Sequence, residues 1–179
     1  MVLLKGDQAA QDPWIRVADE DPVPDGASAL LTYDRWRRDR DRLVLRNAPL
    51  GIILHSEQSP LPIADDLPRL GLVALEFPKF TDGRPYSHAR LLRQRLGYRG
   101  EVRAVGNVLR DQLLFMRRCG FNAFELPDGA DVGEWCSAFD EISVFYQPAA
   151  NGPPSAMDLR WPAESPAETP VSVFGMRGY

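Results

Sequence analysis

Residues 76–126, EFPKFTDGRPYSHARLLRQRLGYRGEVRAVGNVLRDQLLFMRRCGFNAFEL, decide the fold. Two strand–turn–helix units and a further strand follow one another there, and the ionisable side chains gather at the turns. Leu72–Phe77, which leads into the stretch, is a nearly continuous apolar run of strand length. That is the pattern of a strand covered on both faces of a parallel sheet. Ser87 is expected to cap a helix with Ala89, Leu92 and Leu96 on one face and Gly97 closing it. Glu101–Val105 reads as the next strand, and Val108–Cys119 as a helix with Leu109, Leu113 and Met116 inward and Gly120 just past its end. Phe121–Leu126 is a strand again.

Working outward, Gly51–His55 is a strand entered through the Asn47–Gly51 turn, and Ile63–Leu70 a short helix or turn interrupted by Pro68. Thr32 is expected to cap a helix running to about Leu43, anchored by Leu31 and Trp36. At the N-terminus, Val2–Lys5 and Trp14–Val17 are β-prone runs around a turn-rich Gly6–Pro13 segment, which predicts a hairpin or an edge pair. Downstream, Asp131–Glu141 places Val132, Trp135, Cys136 and Phe139 at i, i+3, i+4 and i+7, a core-facing stripe. Strand and helix alternate from Gly51 onward, so the crossovers are right-handed and the sheet mostly parallel. The expected architecture is a single α/β domain over residues 1–146, either an open sheet or half of a (β/α)₈ barrel, with an N-terminal hairpin. Residues 147–179 lose all periodicity and hold six of the sixteen prolines, which predicts a poorly ordered tail.

Composition narrows the function. The 179-residue chain suits one domain with a substantial core. Its 21 Lys+Arg against 25 Asp+Glu give a net charge of −4, which argues against a nucleic-acid binder. The basic run Arg35–Arg42 is interleaved with Asp34, Asp39 and Asp41 and reads as a solvated helix face. No apolar run approaches the roughly 20 residues needed to span a bilayer. Two cysteines and no secretory signature give the expectation of free thiols and a cytoplasmic location.

The residues that could carry chemistry lie where parallel α/β folds bind ligands, beyond the carboxyl ends of the strands. Glu76, Lys79, Asp82 and Arg84 fall within nine residues. Lys79 and Arg84 could meet an anion beside the helix that follows. Asn107 and Arg110 stand at the next helix start, and Glu125 near the end of the following strand. One pocket collecting Glu76, Lys79, Arg84, Asn107, Arg110 and Glu125 is therefore expected; the competing expectation is a set of structural ion pairs. His55 closes its strand and reads as a hydrogen-bonded structural histidine, and Cys119 and Cys136 as small hydrophobes. The chain has no CxxC pair, no GxGxxG after a strand, no Walker A sequence and no GxSxG elbow. No cofactor is therefore expected, and no metal spacing is present.

The strings DGR-x-YS-x-AR-LLR, from Asp82, and GNVLRDQL-x(5)-CGF, from Gly106, strongly resemble a bacterial domain-of-unknown-function family. The resemblance covers about Asp12 to Pro162. Family members usually carry Gly where Pro85 stands and Asp where Asn107 stands. They are commonly encoded beside the sulfite reductase haemoprotein and labelled as oxidoreductases of sulfite reduction. The resemblance thus implies an accessory protein of assimilatory sulfite reduction, with the reductase or a small oxyanion as partner. On that expectation Lys79, Arg84, Arg110, Asn107 and Glu125 bind the anion. Two alternatives stand beside it: a barrel-type acid–base enzyme using Glu76, Lys79 and Asp82 on a small anionic substrate, and a non-catalytic interaction module. Self-association is left open.

Overall fold

The computed structural model describes residues 2–142, 145–150 and 155–160. Its N-terminal strands β1 (Val2–Lys5) and β2 (Gln8–Ala10) form the expected hairpin, turning at Gly6, whose φ of 62° suits glycine. The second strand lies inside the segment read as a turn. Ile15–Arg16, part of the run expected to pair there, instead forms β3 at the far edge of the sheet, parallel to β4 (Ala29–Thr32).

Thr32 caps α1 (Tyr33–Leu43) as expected, its hydroxyl accepting from the Arg35 N–H at 3.1 Å. Leu31 and Trp36 are buried where the sequence puts its anchors. The chain then runs through β5 (Leu50–Leu54), a 3₁₀ helix (Leu61–Arg69) and β6 (Leu70–Phe77). Helix α2 (Arg84–Arg90) opens at Gly83, with Pro85 in its first turn and Ser87 already inside it. This corrects the Ser87 cap: the fixed φ of Pro85 starts the helix earlier, where a missing N–H costs nothing. A π turn (Leu91–Arg95) extends α2 before β7 (Glu101–Gly106). Residues Arg110–Gln112 make a 3₁₀ turn into α3 (Leu113–Cys119), closed by Gly120 in the left-handed conformation at φ 117°. Strand β8 (Ala123–Leu126) and α4 (Val132–Ser137), capped by Asp131, complete the alternation.

The sheet order is β2-β1-β8-β7-β6-β5-β4-β3. From β3 to β8 every neighbouring pair is parallel and consecutive in sequence, and β1 joins β8 antiparallel. Unbroken sequential order with right-handed crossovers curls the sheet into a half-barrel. Alternation of side chains across each strand decides the two faces. On the helix side, Leu31, Ile52, Leu54, Val73, Leu75, Phe77, Ala104 and Phe124 join the principal core. On the other side, Leu30, Leu72, Ala74 and Val105 form a smaller cluster closed by Trp14, whose ring lies over Gly71. Trp14 explains why β6 reads as apolar on both faces although helices cover only one.

Of the segment expected to be a poorly ordered tail, the described part carries the short helix α5 (Ala156–Arg160), and the Ala150 N–H donates to the Arg118 carbonyl at 2.8 Å. Residues 151–154 and 161–179 lie outside the described residues. No helix among the described residues is long and apolar enough to cross a membrane.

Candidate functional site

His55 follows β5 and Glu76 is the penultimate residue of β6, so parallel pairing sets them side by side at the carboxyl end of the sheet. His55 Nδ1 contacts Glu76 Oε2, and both side chains are partly exposed, at 42% and 35%. The hydrogen bond to Glu76 raises the imidazole pKa above the ordinary histidine value, against the opposing effect of partial burial. Ser56, next in the chain and buried, accepts from Arg84 Nη2 at 2.8 Å. Arg84 in turn grips Asp82, with Nε 3.0 Å from Oδ1 and Nη2 2.6 Å from Oδ2. That side-chain hydrogen bond, helped by the Arg84 N–H, holds the Asp82 carboxyl well below the usual carboxylate range. Two polar groups, Glu76–His55 and Ser56–Arg84–Asp82, adjacent through the His55–Ser56 backbone, therefore lie at the ends of β5 and β6.

The other residues expected in this pocket divide. Lys79 is exposed in the same β6–α2 turn, its carbonyl accepting from the Asp82 N–H. Asn107 is exposed at the end of β7, its N–H donating to the Phe77 carbonyl at 2.8 Å. Arg110 turns toward α4 instead, donating to the Glu134 carbonyl and the Ser137 hydroxyl and pairing with Glu141 at 2.8 Å. Glu125 faces the helix-free side of the sheet. There it meets Arg16 and the fully buried Arg103. So Glu76 pairs with His55 and Asp82 with Arg84 on adjacent strand ends, while Arg110 and Glu125 have other partners.

Arg103 is the centre of a second charged assembly. It reaches Asp12 at 2.7 and 3.0 Å, Glu101 at 2.8 Å and Glu125 at 3.2 Å. Lys5 pairs with Glu101 at 2.9 Å, and Arg16 with Glu125. Burial opposes the charge on Arg103, but Asp12 and Glu101 hold its pKa above the ordinary arginine range. The signal lay in EVRAV: an acid and a base two residues apart in a strand share one face, and a face that is otherwise apolar must pair them. The His55–Glu76 pair was legible only as two separate residues, because nothing local aligns strand ends 21 residues apart.

Two histidines give the site a titration signature. His55 should titrate above the ordinary histidine value, and His88, which burial pushes down, below it. The raised imidazole contributes stability that is fully present below the unfolded value and is lost as pH rises through the folded one. The depressed His88 has the opposite sign: acidification through its unfolded value costs stability. In Glu76→Gln the His55 resonance should shift its midpoint down while that of His88 stays put. Proton NMR titration of the two imidazoles checks this; an unmoved His55 midpoint would separate the two side chains in solution.

Among the described residues, no group of three or more His, Cys, Asp or Glu side chains is arranged to hold a metal ion. Comparison with curated proteins found no match, and comparison with solved structures found none. The model of a bacterial family of unknown function, DUF934, matches residues 51–157, which include β6 to β8, β5 from Gly51, and both polar groups at the strand ends. The match leaves out Lys5, Asp12 and Arg16, the N-terminal partners of the Arg103 assembly. It spans more than half of the chain, and the chain belongs to this DUF934 family.

Proposed function

We propose that the protein is an accessory protein of assimilatory sulfite reduction that binds a small oxyanion at the carboxyl ends of β5 and β6 and associates with the sulfite reductase haemoprotein. The observation that carries this reading is the His55–Glu76 pair beside Arg84. An imidazolium with a raised pKa can donate a proton to an oxyanion oxygen, with the carboxylate of Glu76 stabilising the charge before transfer. Sulfite takes up protons as it is reduced, so such a donor suits it. Lys79, exposed in the same turn, adds positive charge, and Arg84 keeps Nη1 unused among the described residues. The resemblance to proteins encoded beside the reductase supplies the process.

The test is calorimetric titration with sulfite together with capture of the reductase on the immobilised protein. Arg84→Ala should weaken sulfite binding by about 1.5–3 kcal/mol, the worth of a hydrogen bond to a charged group. Its melting temperature should hardly move, because Arg84 is 57% exposed and exposed ion pairs contribute little. Arg110→Ala should do the reverse, lowering the melting temperature and sparing the anion, since its bonds brace α4. Wild-type protein that neither binds sulfite nor captures the reductase would end this reading.

The same pair favours a second reading, a barrel-type acid–base enzyme acting on a small anionic substrate. A reaction whose rate falls in Glu76→Gln, with anion affinity kept, would select the enzyme over the accessory protein.

A further inference from the structure

A cavity among the described residues lies at the opposite end of the strands. It has a volume of about 650 Å³ and opens between the β1–β2 turn, the segment before β7 and the segment before β8. In parallel barrels that end usually serves stability, and ligand sites fall at the other. Here that end too has room for a ligand, within the roughly 300–1,000 Å³ of small-molecule sites.

Its charge is opposite to that of the protein. Four cations, Lys5, Arg93, Arg99 and Arg117, face one lining carboxylate, Asp7. Asp7 pairs with Arg117 at 3.1 Å, and Lys5 pairs with Glu101 at 2.9 Å. Two guanidiniums are left without a carboxylate. Arg93 donates only to carbonyls, those of Gly120, Tyr98 and Gly100, at 2.8–2.9 Å. Those bonds fix its position, and its Nη2 has no partner among the described residues. Arg99 is exposed and has neither a hydrogen bond nor an ion pair among the described residues. Burial pushes the pKa of Arg93 down, and the charge of Arg99 adds to the effect. A concave site that gathers two uncompensated charges in a protein of net charge −4 is organised for an anion.

We propose that this cavity binds a small organic phosphomonoester, with Arg93 and Arg99 holding the phosphate. The excess of two positive charges matches a phosphomonoester, which carries close to two negative charges at neutral pH. The guanidinium fork suits its oxygens. The volume exceeds what a bare oxyanion fills, and Tyr98, Phe121 and Phe124 give the wall apolar surface for the organic part.

The probes are AMP, phenyl phosphate and ribose 5-phosphate, titrated into the full chain, with adenosine and inorganic phosphate as controls. At least one phosphomonoester should bind with a Kd below 1 mM, adenosine should not bind, and Arg99→Glu should weaken binding at least tenfold. Arg99→Glu should melt with the wild type, because the side chain is exposed and unpaired, so loss of binding cannot be put down to misfolding. If none of the three esters binds, or if Arg99→Glu binds as the wild type does, the proposal is overturned. Phosphate binding as tightly as the esters would also overturn it, since the organic part would then contribute nothing. The result is independent of the sulfite site: Arg99→Glu should leave sulfite binding unchanged, and Arg84→Ala should leave ester binding unchanged.

Discussion

Replacing Arg103 by methionine is expected to cost about 3–5 kcal/mol of folding stability, the range for breaking a buried charge assembly by removing one partner. Arg103 is fully buried, and its guanidinium touches Asp12, Glu101 and Glu125 together. Methionine keeps much of the volume, so the loss comes from the charges left behind. Glu101 and Glu125 stay buried with only Lys5 and Arg16, both about half exposed, to answer them. Asp12 loses both side-chain bonds, and with them the tie that holds the Trp14 segment across the sheet. Urea unfolding of the single variant, and of a triple variant adding Glu101→Gln and Glu125→Gln, measures this. The triple variant should recover a large part of the loss, since burying an amide costs less than burying an unpaired charge. A single variant within 1 kcal/mol of the wild type would mean that the assembly contributes nothing to the fold.

Gly106→Ala is expected to lose about 2–4 kcal/mol, combining the cost of a left-handed backbone with that of forced overlap. Gly106 ends β7 with φ at 86°. A Cβ there would stand 2.6 Å from the Phe77 carbonyl oxygen, closer than any real contact. That oxygen cannot retreat freely, because it also accepts the Asn107 N–H at 2.8 Å and belongs to a strand with Phe77 packed in the core. Gly6→Ala is the control: its φ is 62° and nothing lies within 4 Å of the added carbon, so it carries only the backbone cost. A thermal melt of the two variants should show a clearly larger drop for Gly106→Ala. Equal drops would show that β6 and β7 part at little cost at this end.

Much of the fold was legible because its signals are local. The continuous apolar run of β6, the buried Ala89–Leu92 and Leu113–Met116 spacings, the Thr32 cap and the glycine after Cys119 each follow from the conformation of a few consecutive residues. Strand β4 went unread because Ala29–Thr32 is only four residues long and merges into the α1 cap. The start of α2 was misplaced because Ser87 is a good cap in isolation, while Pro85 acts two residues earlier.

The candidate site was half legible. The sequence concentrates charge at the strand ends, where Glu76 pairs with His55 and Asp82 with Arg84. It could not say that His55 is the partner of Glu76, that Arg84 is gripped by Asp82, or that Arg110 turns toward Ser137. Nor could it show that Lys5, Arg93 and Arg99 surround one cavity.

The sequence by itself determined the alternation of strand and helix, the parallel sense of the sheet and the end at which most turn charges collect. Those follow from periodicity and chirality, which act over a few residues. Only the tertiary structure decided that the sheet curls, that the N-terminal strands take opposite edges, and which acid answers which base. Charge pairing depends on inter-strand register and on the path of the Asp12–Arg16 segment across the helix-free face. Arg103 and Asp12, 91 residues apart, meet because packing brings them together, and no local preference of either residue specifies it.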